Sequence, residues 1–192
     1  MMARSDAPPG REPDLATLRE ALLAKSWRAR RRAVWTLPLQ PVTDVLPLLE
    51  IAIRDGHEDV RMAAVETLGD VHDRRAAEML KGVVDRGRAE DEFVRREAVL
   101  GLAAHATPEA FDALERVARD EKERFVVRSE AILALGRSGD PARWAALRDV
   151  HADAPRRIRR EIEHARIRPW DNRLARFLAT DLFRWSRPRN RQ

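Results

Sequence analysis

One ten-residue phrase recurs at a near-constant spacing, and that repetition confines the chain to a stack of small units. Val60-Arg61-x-x-Ala64-Val65-x-x-Leu68-Gly69 returns as Val94-Arg95-x-x-Ala98-Val99-x-x-Leu102, then as Val127-Arg128-x-x-Ala131-Ile132-x-x-Leu135-Gly136. Weaker copies flank these: Ala29-Arg30-x-x-Ala33-Val34-x-x-Leu37 and Ile158-Arg159-x-x-Ile162. The aligned positions 33, 64, 98, 131 and 162 are 31, 34, 33 and 31 residues apart. A period of this size marks supersecondary units that bury their apolar faces by stacking on one another. Within the phrase, Val60, Ala64, Val65 and Leu68 share one side of a helix. A one-sided helix needs a partner to cover that side, so each unit calls for two helices.

The partner helices open on recognisable caps. Asp14 precedes Leu15 and Leu18; Thr43 precedes Val45 and Leu46, with Pro47 expected in the first turn or so. Asp73 precedes Ala76 and Leu80, while Thr107-Pro108 and Asp140-Pro141 set a cap before a proline at the first helical position. Gly69 and Gly136 follow the last leucine of the phrase, where a C-cap glycine is expected. No run alternates with period two, so the chain reads as all-α. Residues 1–13 form a leader rich in Pro and charge, 14–167 the repeats, and 168–192 a basic end. In that end Asp171 can cap a helix with Leu174, Phe177, Leu178 and Leu182 on one face, suited to cover the open end of the stack.

Apolar residues make up 44% of the 192, enough for a core although 36% are charged. The absence of cysteine excludes disulfides, thiolate metal sites and cysteine nucleophiles. The leader has no apolar core of a signal peptide and no stretch approaches a membrane span, so a cytoplasmic protein is expected. The net charge of +5 conceals a division. Residues 1–37 carry 8 basic and 4 acidic side chains, 38–154 carry 17 and 24, and 155–192 carry 12 and 4. The basic surplus therefore sits at the ends, and the middle of the stack is acidic. A nucleic-acid contact is confined to those ends, and the opposed charges allow weak self-association.

The phrase V-R-x-x-A-[VI]-x-x-L-G resembles the HEAT-like repeats named after phycobilisome lyases, over roughly residues 14–167. The resemblance implies a right-handed α-solenoid of about five helix pairs, with second helices lining a concave side. It also implies that the recurrent arginines, Arg30, Arg61, Arg95, Arg128 and Arg159, form a structural ladder to nearby acids. Asp55, Asp59, Asp91, Asp120 and Glu123 are available for it. Three activities occur on this type of fold. The diiron deoxyhypusine hydroxylases share V-R-x-E-A, present here at Val94–Ala98 and Val127–Ala131, but carry a His before each Glu, where this chain has Arg96 and Ser129. The bilin lyases and their chaperone-like relatives are similar in length and repeat type, without a residue here that is diagnostic of a tetrapyrrole. The HEAT-like alkylbase DNA glycosylases need a basic groove with clustered aromatics, and the acidic middle argues against that.

A helical wheel locates where a partner would sit. With the aligned Ala as origin, positions −2, −1 and +2 point away from the first helices. They place Arg31, Trp35, Met62, Glu66, Arg96, Glu97, Leu100, Glu130 and Leu133 on the concave face. Acidic groups beside Trp35, Met62, Leu100 and Leu133 suit a protein or peptide better than phosphates. The expectation is a non-catalytic scaffold that binds another protein, with no metal or cofactor. Bilin-lyase-like or chaperone-like handling of a pigment-protein is the alternative, and nucleic-acid binding through the basic ends is a third.

Overall fold

The computed structural model describes residues 14–37, 41–138, 140–154 and 156–167, with side chains at all of these but 141, 144, 151–153, 161 and 164–167. The leader and the expected capping helix of 168–192 lie outside the described residues. Among the described residues ten α-helices run in order, in five pairs: α1 (Leu15–Leu22) with α2 (Trp27–Thr36), α3 (Val42–Ala52) with α4 (Glu58–Asp70), and α5 (Arg74–Asp85) with α6 (Glu92–His105). The series continues with α7 (Pro108–Arg119) and α8 (Phe125–Arg137), then α9 (Pro141–Asp153) and α10 (Arg156–Ile167). Among the described residues there is no strand.

The caps form as side-chain chemistry dictates. Asp14 accepts from the Thr17 N–H at 2.8 Å, Asp73 from Arg75 at 2.7 Å, and Thr107 from Ala110 at 3.1 Å. Asp140 accepts from Ala142 at 2.8 Å. The α3 start differs from expectation. Its N-cap is Pro41, Thr43 lies inside the helix, and Pro47 is interior rather than in the first turn. The hydrogen bond that Pro47 cannot make is the one to the Thr43 carbonyl, in the first turn, where the helix tolerates the loss best.

The repeated phrase lies on the second helices and supplies the centre of the core. Val60, Ala64, Val65 and Leu68 on α4 are fully buried, as are Val94, Ala98 and Val99 on α6 and Val127, Ala131, Ile132 and Leu135 on α8. Leu46 and Leu49 on α3, Leu80 on α5 and Leu114 on α7 meet them from the first helices. Each such leucine contributes about 2 kcal/mol by leaving water.

The glycines serve a purpose other than capping. Gly69 lies inside α4 and Gly136 inside α8, with Val71 and Ser138 as the C-caps. A Cβ placed on Gly101 would stand 3.3 Å from the Gly69 Cα and 2.9 Å from Leu80 Cδ1. The missing side chains let the backbones of α4 and α6 approach. Successive second helices pack directly on each other throughout the stack, whereas successive first helices touch far less. That difference curves the solenoid and puts the second helices on its inner side.

Candidate functional site

The recurrent arginines stitch the units together. Arg30 grips Asp55 with Nε and a terminal nitrogen at 2.6 and 2.8 Å, while its other nitrogen donates to the Ala24 carbonyl at 2.8 Å. Arg61 holds Glu90 the same way at 2.6–3.1 Å and donates to the Asp55 carbonyl at 2.8 Å. Arg95 donates to the Val84 carbonyl at 3.1 and 3.2 Å and pairs with Glu123 at 2.6 Å. Arg128, also buried, donates to the Ala118 carbonyl at 2.9 Å. Arg159 is half-buried on α10. In the three paired cases the arginine takes a carbonyl at the end of its own unit's first helix and a carboxylate just before the next unit's second helix.

The acids differ in part from the sequence expectation. Asp55 and Glu123 take their places, but Glu90 stands where Asp91 was expected. Glu90 stands five residues before Arg95, as Glu123 stands before Arg128, and Asp91 caps α6 instead, accepting from the Phe93 and Val94 N–H groups. Asp59 lies 3.8 Å from Arg31, and Asp120 accepts from the Lys122 N–H. Burial pushes the Glu90 carboxyl up, but hydrogen bonds from Arg61, Arg86 and the Asp91 N–H outweigh it and hold the group below its ordinary range.

The inner face carries two chemically distinct parts. The first, on α4, α6 and α8, is acidic. Glu97 is half-buried, and burial, then Glu66, Glu130 and Asp70, raise its carboxyl to about 7, with Arg96 opposing. Arg96 donates from Nε to Glu130 at 2.9 Å, linking α6 to α8. The wheel expects Glu130 on open surface, yet it is 8% exposed. Position −1 faces the neighbouring second helix, as the burial of Ala63 also shows. Met62 leans into the core, and Glu66, Leu100 and Leu133 are half-buried.

The second part is aromatic and basic. On α2 the indoles of Trp27 and Trp35 flank Arg31, whose guanidinium carbon is 5.1 Å from one ring centre and 4.4 Å from the other. His57 stacks on Trp27 at 4.1 Å and 15°. The His57 Nδ1 accepts from the Asp59 N–H at 3.2 Å, which fixes the ring as the N-cap of α4. Sequence reading placed Arg31 and Trp35 on this face but missed Trp27 and His57. The spacing 27, 31, 35 at one helical face was the available signal.

Stacked helix pairs with a curved inner layer define an α-solenoid. The chain belongs to the HEAT-repeat family: the family description "HEAT repeats" matches residues 15–92 and 86–165. Human deoxyhypusine hydroxylase, solved with glycerol, is 33% identical across 67% of this chain, with a TM-score of 0.57. The chain spans 44% of that protein's length. The complex of CpcE and CpcF of the phycocyanin lyase from Nostoc is similar in fold, at 23% identity, 79% of this chain, 96% of that chain and TM-score 0.58. An engineered protein superposes at TM-score 0.51 with 17% identity, over 79% of this chain and 77% of that one. No curated protein sequence is significantly similar to the chain.

The residues here do not fit an iron centre of the hydroxylase type. Arg96 and Ser129 stand before Glu97 and Glu130, and the Arg96 guanidinium occupies the Glu130 carboxylate. Among the described residues no cluster of three His, Asp or Glu side chains could hold a metal ion. Nor, among them, is any helix long and apolar enough to cross a membrane.

Proposed function

We propose that this solenoid is a non-catalytic scaffold that receives another protein or peptide on its inner, second-helix face. The observation that supports it is Arg96 bound to Glu130. A cation has taken the carboxylate that the related V-R-x-E-A motif would otherwise offer to chemistry, and the inner face is left as a surface of mixed polarity. Trp35 is 38% exposed there, beside half-buried Arg31, Met62, Glu66, Arg96, Glu97, Leu100 and Leu133. Large apolar groups set among charges are the composition of a protein interface. The structural arginines support the same division of labour, since Arg30, Arg61, Arg95 and Arg128 spend their donors inside the stack. A cytoplasmic setting suits this role.

The test is affinity capture with mass spectrometry, using the wild-type chain and a Trp35→Ala, Leu133→Glu double variant. Circular dichroism of the variant reports whether the stack still folds. Loss of a specific partner from a folded variant supports the reading. Capture that survives the double change refutes the inner face as the docking surface.

A further inference from the structure

We infer that the run His57, Trp27, Arg31, Trp35 is the anchor point of the inner face, and that it takes a carboxylate from an acidic segment of the partner protein. This rests on the scaffold reading and names the chemistry that the scaffold selects.

The arrangement is built rather than incidental. His57 is held by its bond to the Asp59 N–H, Trp27 stacks on His57, and Trp27 also packs against the core. The Arg31 guanidinium then lies against both Trp27 and Trp35, which hold it by cation–π contact. Its hydrogen-bonding capacity is largely unspent. Among the described residues its ion pair is a long one, 3.8 Å to Asp59, and its Nε is closed to water without a hydrogen-bond partner. The Arg31 side chain remains 32% exposed, and a guanidinium held this way with only a long ion pair is suited to a carboxylate.

The local charge points the same way. Helix α2 carries four arginines and no acid. Arg30 is consumed by Asp55, which leaves Arg28, stacked on Trp27 at 4.6 Å, with Arg31 and Arg32. Trp35 stands at the surface to receive an apolar side chain next to the anion.

A nucleic acid offers anions too, but the inner face next to the anchor argues against one. Glu66, Asp70 and Glu97 gather on α4 and α6, on the second-helix face next to α2. A polyphosphate backbone that followed the second helices would meet this acidic cluster. A polypeptide can present a carboxylate at α2 and neutral or basic residues beyond it.

Selection from displayed random short peptides reads the chemistry directly, with the full chain as bait. Peptides enriched in Asp and Glu beside an apolar residue are expected. Their affinity should fall about tenfold or more in Arg31→Gln and in Trp35→Ala, and partly in Arg31→Lys, which keeps the charge but not the plane. Two variants on separate side chains keep the result readable if one of them unfolds. Selection of neutral or basic peptides overturns the inference, as does equal binding of the acidic peptides by Arg31→Gln. Tighter binding of a short oligothymidylate than of the selected peptides at low salt also overturns it, in favour of nucleic acid. Failure of the anchor alone leaves partner capture sensitive to Leu133→Glu; failure of the scaffold reading removes that sensitivity as well.

Discussion

Glu97 gives the inner face a measurable cost. Its carboxyl titrates at about 7 in the fold against an ordinary 4.5. The folded state therefore holds the proton more tightly than the unfolded one. Stability from this group is complete below about pH 4.5 and is lost as the pH rises through about 7. At about 1.36 kcal/mol per pH unit, the raised pKa lowers stability by about 3.4 kcal/mol near pH 8.5, where the folded group is ionised, and by about 1.4 kcal/mol near pH 5.5, where it holds its proton while the unfolded chain gives it up. Partial contact with water screens the charge, so both are ceilings. Glu97→Gln removes the charge and keeps the shape. The variant should be more stable than wild type by up to about 3 kcal/mol near pH 8.5, with the gain shrinking by about 2 kcal/mol near pH 5.5. Urea unfolding followed by circular dichroism at both pH values gives the difference. A gain independent of pH, or one that grows toward acid, would refute the account of Glu97 as a carboxyl raised by burial and by Glu66, Glu130 and Asp70.

Three further perturbations test the stack itself. Gly101→Val forces a side chain between Leu80 and the Gly69 backbone and should destabilise by about 1–3 kcal/mol. Gly82→Ala, with nothing within 4 Å inside α5, should stabilise by about 1 kcal/mol, both changes being read by urea unfolding. Glu90→Ala strands Arg61 and Arg86 and should cost about 3–5 kcal/mol in urea unfolding, more at neutral pH than near pH 3. The Glu90 carboxyl sits below its ordinary 4.5, so its stabilisation is present above that value and fades as the pH falls.

The repeat phrase carried the architecture because its letters answer to burial. Val60, Ala64 and Leu68 recur where the core requires them, and a short polar side chain before an apolar run is a cap for local reasons. What escaped the sequence depends on neighbours that the sequence does not adjoin. Gly69 reads as a helix end until α6 is seen against it with Gly101 opposite. Glu130 reads as solvated until Arg96 arrives from the helix before it. Half of the anchor was legible, since Arg31 and Trp35 lie on the expected face. His57 was not, because only the packing of α2 on the start of α4 lays an imidazole against Trp27.

The arginine bridges give the stack a direction. Each one reaches forward, from Arg30 to Asp55, Arg61 to Glu90 and Arg95 to Glu123. Shortening the chain from its two ends is therefore not symmetrical. Removal of a leading unit leaves behind a carboxylate, which can take up a proton and go quiet. Removal of a trailing unit leaves behind a guanidinium such as Arg95, 3% exposed, which has no neutral form to retreat to. Cutting repeats from the front should therefore cost the remaining stack less than cutting them from the back.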